Sequence, residues 1–313
     1  MKIVRDLEHL NFKRPVVALG NFDGVHVGHQ ALIKKIVKRA REIDGTSVVF
    51  TFYPHPLKVI SNKIPPLIQT FREKAYIIRS FGVDVMICAR FTKRFASIYP
   101  EEFVKQVLLD ALGVEEVCIG YDYTFGRGGK GTVETLLNYS RKYHFKLYVI
   151  PPVRVGNDVV SSNAVRKLIR DGRIKEANLF LGRHYSIEGY VRKGMSRGKQ
   201  LGFPTANIYP RNELLPKSGV YIGRVKIDER LLQAVINVGS NPTFSDDVMH
   251  LEAHILRFEG NLYNKRLNIE FVDRIRDEIK FKDALALKKQ IEMDIKIAEA
   301  FWQNKIIKVG EKR

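Results

Sequence analysis

The sequence predicts an α/β domain with a parallel sheet, followed by a compact antiparallel barrel or sandwich and a long C-terminal helix. In the first half, continuous apolar segments alternate with amphipathic helical patterns, which is typical of parallel strands covered on both faces. After Gly182, Gly, Asn, Pro and Lys link the apolar segments, which favours short antiparallel strands. We therefore place the domain boundary between Gly182 and Arg183, giving domains 1–182 and 183–313.

Each element of the first half follows from its own spacing of apolar residues. Short apolar runs predict strands at 16–19, 48–52, 85–88, 116–119 and 147–150. Apolar residues at helical spacing predict helices at 29–41, 71–81, 100–112 and 133–143, then two short ones near 162–170 and 174–180.

The second half is predicted to consist mainly of strands. Apolar segments place them at 185–191, 206–208, 220–227, 231–238, 251–256 and 267–272. The closing helix is predicted at 282–302, where the period of an amphipathic helix is kept by Leu285, Leu287, Ile291, Ile295, Ala298 and Phe301.

Composition indicates a globular protein of a reducing compartment. The 313 residues are 45% hydrophobic and 28% charged, as is common in globular domains. No apolar run reaches the roughly 20 residues of a membrane span, and the N-terminus lacks the apolar core of a signal peptide. Cys88 and Cys118 lie in apolar strands without CxxC spacing, so we expect free, buried thiols. We predict a cytoplasmic protein without a membrane partner.

The net charge of +19 allows two interpretations. A basic surface binds RNA or DNA by neutralising phosphates. Here the lysines and arginines are spread along the whole chain and form no long block. Nucleotide substrates explain the balance equally well. We therefore expect no nucleic-acid partner, and the sequence leaves a homo-oligomer open.

The strongest chemical signal is the segment Gly20-Asn-Phe-Asp-Gly-Val-His-Val-Gly-His29. It joins a predicted strand to a predicted helix, and it places His26 and His29 on either side of a glycine. A helix N-terminus presents unpaired N–H groups and a partial positive charge, which suit a phosphate. Two histidines there are able to donate hydrogen bonds as charge develops on phosphate oxygens. The alternative is that the histidines only cap the helix.

Two loops are predicted at the same sheet edge, where open α/β sheets bind ligands. The segment 51–56 follows the second strand, and Phe52 or His55 suits packing on a planar ring; the alternative is an ordinary proline-bounded loop. The glycine-rich loop 120–131 offers Asp122 to a substrate hydroxyl. Its GxGxxG match lacks the acidic residue that a dinucleotide fingerprint needs about 20 positions later, and Thr132 stands where a Walker A lysine would follow.

The segment Ser161-Ser162-Asn163-Ala164-Val165-Arg166 opens a predicted helix with two hydroxyl residues, one of them a good N-cap. Arg166 lies about one turn into this helix, where its guanidinium suits an anion at the helix start. A plain capped helix explains the same residues. Its position after the last strand of the predicted sheet favours a phosphate-binding role.

Two further signals lie in the second half. Thr205 and Asn207 alternate on a predicted strand and therefore face the same side, and their oxygens suit Mg²⁺ or phosphate. Asn237 begins a predicted polar turn that extends to Phe244. Glu252 lies on a strand, where it is a candidate general base for a substrate hydroxyl.

Four motifs resemble the adenylyltransferase half of prokaryotic bifunctional riboflavin kinase/FMN adenylyltransferases, also called FAD synthetases: GNFDGVHVGH, TFYPHP, a GxDxxFG segment and SSNAVR. The resemblance implies a nucleotidyltransferase-type, Rossmann-like sheet domain without a covalent intermediate. It implies that His26 and His29 are catalytic and contact ATP phosphates. It further implies ATP contacts at Asn21, Asp23, Ser162 and Arg166, and flavin contacts at Phe52, Pro54, His55 and Asp122.

The second half resembles the riboflavin kinase module of the same family through PTAN, NVGSNPTF, EAHIL and RDEIKF, in that order. The resemblance implies a small antiparallel β-barrel domain with a C-terminal helix. It implies that Thr205 and Asn207 hold Mg²⁺ with ATP and that Glu252 is catalytic, activating the 5′-hydroxyl of riboflavin. Arg276 and Phe281 would contact the flavin. The implied partners are small-molecule substrates: riboflavin, FMN and ATP.

Three positions depart from the family pattern. Lys199 stands where arginine is usual, Arg257 replaces a common acidic residue, and His184 replaces a usual proline. None is a proposed catalytic group, so we expect changes in substrate affinity or in the relative strength of the two activities.

Two other functions remain as alternatives to a bifunctional enzyme. One is an adenylyltransferase whose barrel only binds flavin, which the intact Thr205, Asn207 and Glu252 disfavour. The other is an RNA-binding regulator that uses the basic surface, which leaves the paired histidines unexplained.

Overall fold

A computed structural model of the chain describes residues 1–8, 10–61, 65–194, 198, 201–240 and 249–310. The chain forms two compact units, Met1–Ser162 and Asn163–Arg313. The first contains a six-stranded parallel sheet and the second a closed antiparallel barrel, which confirms the predicted fold class. The two short helices group with the barrel, and the domain boundary at 182 stays a prediction. Among the described residues, no helix is long and apolar enough to cross a membrane.

The sheet of the first unit is parallel throughout. Its strands are β1 (Lys2–Val4), β2 (Val16–Leu19), β3 (Ser47–Tyr53), β4 (Val85–Arg90), β5 (Glu116–Gly120) and β6 (Lys146–Ile150). They lie in the order β1-β4-β3-β2-β5-β6. The short edge strand β1 is partly exposed and carries no apolar run that would predict it. Because β3 lies on one side of β2 and β5 on the other, the topological switch point lies between β2 and β5, where ligands bind in such sheets.

Helices cover both faces of this sheet. They are α1 (Val27–Glu42), α2 (Leu57–Ile60), α3 (Phe71–Ser80), α4 (Lys93–Ala96), α5 (Pro100–Glu102, continuing as π-helical turns over Phe103–Ala111) and α6 (Val133–Lys142). Val17 and Leu19 of β2 pack in a core with Phe103. Val16 packs on the opposite face with Ile36 of α1. This alternation explains why β2 is apolar at every position. A hairpin of β7 (Arg154–Val155) and β8 (Asp158–Val159) ends the unit.

The second unit is a barrel of strands whose successive side chains point alternately to its interior and to its outer surface. The elements are α7 (Ser162–Arg170), α8 (Ile174–Leu181), β9 (Tyr185–Arg192), β10 (Ala206–Pro210), β11 (Gly219–Ile227), β12 (Arg230–Ser240), β13 (Met249–Ile255), β14 (Arg266–Arg276) and α9 (Ala284–Gly310). The barrel closes in the order β10-β13-β12-β11-β14-β9. On one side, Val220, Ile222 and Val235 pack against Ala298 and Trp302 of α9. The predicted amphipathic helix therefore covers an apolar part of the barrel surface.

Candidate active sites

The segment from Gly20 to His29, called here the histidine turn, connects β2 to α1 at the carboxyl edge of the sheet. The N–H of Gly20 donates to the carbonyl of Phe50 on β3 (3.2 Å), so the turn starts inside the sheet. Helix α1 begins at Val27, with His26 as its N-cap. The turn therefore places a helix N-terminus beside the topological switch point, as an anion site requires.

The two histidines form a stacked pair. Their ring centroids lie 3.7 Å apart with an interplanar angle of 17°, and the His29 ring centroid lies 5.2 Å from that of Phe22. The backbone N–H of His29 donates to Nδ1 of His26 (3.3 Å). An accepting Nδ1 places the ring proton of a neutral imidazole on Nε2. The capping interpretation is thus correct for His26, and the same contact orients its ring to donate through Nε2.

The backbone of the histidine turn is strained. Phe22 (φ +50°) and Val25 (φ +39°) have positive φ angles, which are uncommon for residues other than glycine, and Gly24 (φ +84°) lies between them. Such residues cost on the order of 1–3 kcal/mol each and persist where the surroundings fix them. Phe22 and Val25 are fully buried, which supplies part of the compensating packing.

Of the other predicted ATP contacts, three lie in or at this turn. The Asp23 carboxylate is buried and accepts from the N–H of Ile68 (3.1 Å). Ser162, at the start of α7, donates to the carbonyl of Asp23 (2.8 Å). Asn21 contributes its backbone carbonyl to the contacts that fix the turn. Arg166 is buried in α7 and donates to Asn163 (2.8 Å).

The predicted flavin residues of the first unit lie at the ends of β3 and β5 or directly after them, on either side of β2. Phe52 belongs to an aromatic cluster, with ring centroids 5.1–5.3 Å from Phe50, Phe91 and Phe95. Pro54 is half-buried and Asp122 is exposed. His55 is buried, and its Nδ1 accepts from the N–H of Leu57 (3.3 Å). Packing therefore explains Phe52 and His55 in part, and their flavin contacts stay a prediction.

A second group of polar residues crosses the outer surface of the barrel. The strand register places Asn207 opposite Arg192 on one side and opposite Glu252 on the other, and Glu252 lies opposite Asn237. We call Arg192, Asn207, Glu252 and Asn237 the cross-strand row. Their neighbours Ala206, Ile208, Leu251 and Ala253 are buried, so the row faces outward. Directly opposed residues have Cβ atoms about 4.5–5.5 Å apart, which places the predicted base Glu252 between two carboxamides.

The turn before β10 is folded tightly against the row. The N–H of Phe203 donates to the carbonyl of Gly198 (2.8 Å), and a Cβ on Gly198 would lie 3.1 Å from Oγ1 of Thr205. A Cβ on Gly194 would lie 2.4 Å from the Asn207 side chain, so only glycine permits this approach. Nδ1 of His254 lies 2.9 Å from the carbonyl oxygen of Pro204. Lys199 and the residues from Asn241 to Phe244 lie outside the described part of the chain.

Thr205 and Asn207 suit a divalent cation by their chemistry. A hydroxyl and a carboxamide supply hard oxygen donors, which Mg²⁺ prefers. Asn207 lies on β10 and is the register partner of Glu252, whereas Thr205 precedes the first residue of β10, so the predicted alternation of the two residues along one strand is not observed. The residues present fit the predicted ion by their donor chemistry.

Arg276 has a structural role that the sequence did not reveal. Its guanidinium forms a bidentate pair with Asp294 of α9 (2.9 and 2.7 Å), and the Asp294 side chain is only 3% exposed. Gln290 also donates to Asp294 (3.0 Å). The Phe281 ring lies 5.9 Å from the Arg276 guanidinium. The two predicted flavin residues are thus brought together, with Arg276 fixed by the closing helix.

The two described departures from the family pattern make ordinary contacts within the second unit. Nδ1 of His184 lies 3.1 Å from the Asn178 amide nitrogen. Arg257 (φ +55°) pairs with Glu299 of α9 at 3.5 Å. Neither residue belongs to the cross-strand row.

Sequence reasoning missed several residues that shape these sites. Arg192 and Asn237 enter the cross-strand row only through the strand register. Lys74 lies in α3, is buried, and donates to the carbonyl of Asn21 in the histidine turn (2.7 Å). A signal for Lys74 was present, because it falls on the apolar stripe of α3 together with Ala75 and Ile78.

Each half of the chain matches a known protein family. The FAD synthetase family profile matches residues 9–164, and the riboflavin kinase profile matches residues 181–302. The bifunctional riboflavin kinase/FMN adenylyltransferase of Listeria monocytogenes is 36% identical over 291 residues and covers 92% of each chain. The Escherichia coli K12 protein of the same name is 33% identical over 308 residues, 96% of this chain and 98% of its own.

A solved structure has the same fold over nearly the whole length. It is described as a macrolide-efflux protein from Streptococcus pneumoniae, has a TM-score of 0.88 at 31% identity, and covers 95% of this chain and 98% of its own. Two family profiles in sequence order, with relatives above 30% identity over almost the full length, identify the family. The chain belongs to the bifunctional riboflavin kinase/FMN adenylyltransferase family.

Proposed function

We propose that the chain phosphorylates riboflavin to FMN at the cross-strand row and adenylylates FMN to FAD at the histidine turn, with ATP as the donor in both steps. Both activities are those of the family to which the chain belongs. The assignment of each step to its site rests on the geometry of that site.

Adenylyl transfer is assigned to the histidine turn because of one observation, the stacked histidines at the N-terminus of α1. An FMN phosphate oxygen attacks the α-phosphorus of ATP, the bond to the bridging oxygen breaks, and pyrophosphate leaves with that electron pair. His26 and His29 donate hydrogen bonds to the phosphate oxygens as charge shifts toward pyrophosphate. The family resemblance supports ATP contacts for Asn21, Asp23, Ser162 and Arg166. No covalent intermediate is needed, since positioning and charge stabilisation supply the catalysis.

The flavin of FMN is assigned to the carboxyl edge next to this turn. Phe52 lies near the end of β3, Pro54 and His55 follow that strand, and Asp122 follows β5, so the four residues flank β2 on its two sides. Aromatic and proline surfaces suit a planar ring, and the exposed Asp122 carboxylate suits a ribityl hydroxyl.

Phosphoryl transfer is assigned to the cross-strand row because Glu252 lies opposite Asn207 and Asn237. Glu252 accepts the proton of the riboflavin 5′-hydroxyl, whose oxygen attacks the γ-phosphorus of ATP while ADP leaves. Thr205 and Asn207 would hold Mg²⁺, which when bound neutralises charge on the phosphate oxygens. Arg276 and Phe281 contact the flavin ring in this proposal.

The proposal places the enzyme in the cytoplasm, with small-molecule substrates and no nucleic-acid partner. Two observations support a reducing compartment: Cys88 and Cys118 are both free and buried. Burial raises the pKa of the Cys118 thiol to about 12, so this thiol stays protonated and unreactive at neutral pH.

Chromatography of the products of single-site variants tests the proposal. With riboflavin, ATP and Mg²⁺, the unmodified chain is expected to form FMN, FAD, ADP and pyrophosphate. His29→Ala should lower FAD formation by on the order of 10²–10³-fold and leave FMN formation unchanged. Glu252→Gln should lower FMN formation by on the order of 10²–10⁴-fold and leave the conversion of supplied FMN unchanged. A folded variant that loses both activities would overturn the two-site assignment.

A further inference from the structure

The histidine turn is fixed by hydrogen bonds to its backbone carbonyls and to Asp23. Several elements of the first unit supply the donors. These contacts run from Thr51 and Lys74 to the carbonyl of Asn21, from Gln69 to that of Phe22, from Gln30 to that of Val25, and from the Ile68 N–H to the Asp23 carboxylate. Because Phe22 and Val25 are left-handed, the turn depends on such contacts to keep its conformation.

Lys74 differs from the other donors because it carries a charge. Its side chain lies in the interior of the unit, where Lys74 is 8% exposed, and its ammonium donates to the Asn21 carbonyl at 2.7 Å. Thr51 already donates to the same oxygen at 3.1 Å. Taking an ammonium out of water is costly, and burial lowers the pKa of Lys74 while Asp23 opposes this shift. A neutral donor would satisfy the carbonyl at lower cost.

The positive charge of Lys74 is explained by the nearby Asp23 carboxylate. Its carboxylate is 2% exposed and belongs to the turn that we assign to ATP phosphates. An unbalanced buried anion there would repel a triphosphate. Nζ of Lys74 is held 2.7 Å from the carbonyl oxygen of Asn21, two residues from Asp23 along the turn, and attraction to the Asp23 carboxylate opposes the lowering of the Lys74 pKa by burial.

We propose that Lys74 is a positioning residue for adenylyl transfer: its buried ammonium fixes the Asn21 carbonyl and balances Asp23, so that the histidine turn holds His26 and His29 in the geometry needed for transfer. This inference rests on the proposed assignment of adenylyl transfer to the histidine turn. Lys74 acts through the turn and does not touch ATP. Its loss therefore affects the transition state, in which the histidines donate, more than the binding of ATP.

The test is the steady-state kinetics of FAD formation from FMN by Lys74→Met. Methionine keeps much of the side-chain volume but removes the donor and the charge. We expect kcat to fall by on the order of 10²-fold, with KM for ATP changed by less than about threefold. Arg79→Met is the matched control, because Arg79 is an exposed cation on the same helix, and it should leave kcat unchanged. FMN formation from riboflavin, measured in the same samples, should not change in either variant.

A purely structural role makes a different prediction. If Lys74 only stabilised the unit, the loss of kcat would disappear on cooling, whereas the positioning role predicts the same fold-loss at low and moderate temperature. A kcat within about threefold of the unmodified chain, or a loss confined to KM, would overturn the inference. Should Lys74→Met not fold, Thr51→Val removes the second donor to the same carbonyl and should lower kcat about fivefold; an unchanged kcat there would also overturn it.

His29→Ala separates this inference from the proposed function. If His29→Ala keeps normal FAD formation, the assignment of the histidine turn is wrong and the role of Lys74 is wrong with it. If His29→Ala loses FAD formation while Lys74→Met keeps it, only the role of Lys74 is wrong.

Discussion

The histidine turn and the cross-strand row, the two sites proposed to bind ATP phosphates, bring their polar groups together in different ways. The turn is one continuous segment, and left-handed residues aim its histidines, which stack at 3.7 Å. The row takes one residue from each of four barrel strands, and the register of β9, β10, β13 and β12 aligns them. A site of the first kind depends on backbone conformation, and a site of the second kind depends on strand pairing.

The largest expected effect concerns the ion pair that joins the barrel to its closing helix. Asp294→Ala leaves the Arg276 guanidinium without its buried partner, so we expect the free energy of unfolding of the barrel unit to fall by about 3–5 kcal/mol. Denaturant unfolding measures this. Glu229→Ala is the matched control, because the Lys226–Glu229 pair is exposed and such pairs contribute about 0–1 kcal/mol. Equal effects of the two substitutions would contradict the structural role of Arg276.

The next effect tests whether the histidine turn depends on its backbone. Gly24 has φ +84°, so Gly24→Ala forces a strained residue into the turn. We expect FAD formation to fall by on the order of 10²-fold, while FMN formation is unchanged. Gly113→Ala is the matched control, since Gly113 also has positive φ (+58°) with open space around it but lies between α5 and β5. The account fails here if both variants make FAD at the same rate.

A smaller effect tests whether the cross-strand row depends on register. Asn237→Ala removes a carboxamide opposite Glu252, so the proposed base loses a polar neighbour on the adjacent strand. We expect kcat for FMN formation to fall about tenfold, with conversion of FMN to FAD unaffected. Gln233→Ala, on the same face of β12 but opposite Arg224, should leave both rates unchanged. An unaltered kcat for Asn237→Ala would remove Asn237 from the row's function.

The smallest effect concerns acid stability of the unit that carries the histidine turn. The Arg39 guanidinium of α1 donates two hydrogen bonds to the buried Glu116 carboxylate of β5 (2.9 and 2.6 Å). These bonds lower the pKa of Glu116 below its ordinary value of 4.5. A depressed carboxyl pKa stabilises the fold above the unfolded value, and this contribution is lost as pH falls from 4.5 through the folded pKa. Unfolding by urea at about pH 7 and about pH 3 should show a smaller pH dependence in Glu116→Gln. An identical pH dependence would contradict the role of this pair.

The comparison also explains what the sequence was able to predict. The histidine turn is contiguous, so His26 and His29 were visible as a motif, and the apolar run of β2 placed them at a strand end. In the barrel, alternation placed Asn207 and Glu252 on strand faces, but alternation does not state which strands pair. Arg192 and Asn237 therefore became visible only in the fold.

Other residues were missed for local reasons. The edge strand β1 is short and partly exposed, so it has no apolar period to detect. The two-residue strands β7 and β8 are too short for any pattern. Lys74 was visible as a cation on the apolar stripe of α3, yet its contact with Asn21 joins residues that are distant in sequence. The contact between Arg276 and Asp294 is missed for the same reason.

The central claim is that the chain holds two independent sites, one for each step. The most direct test mixes two variants, each of which has lost one of the two activities. Neither His29→Ala nor Glu252→Gln alone should convert riboflavin to FAD. An equimolar mixture should restore FAD formation, because FMN made by His29→Ala is adenylylated by Glu252→Gln. A mixture that accumulates no FAD, although each variant keeps its remaining activity, would contradict the account.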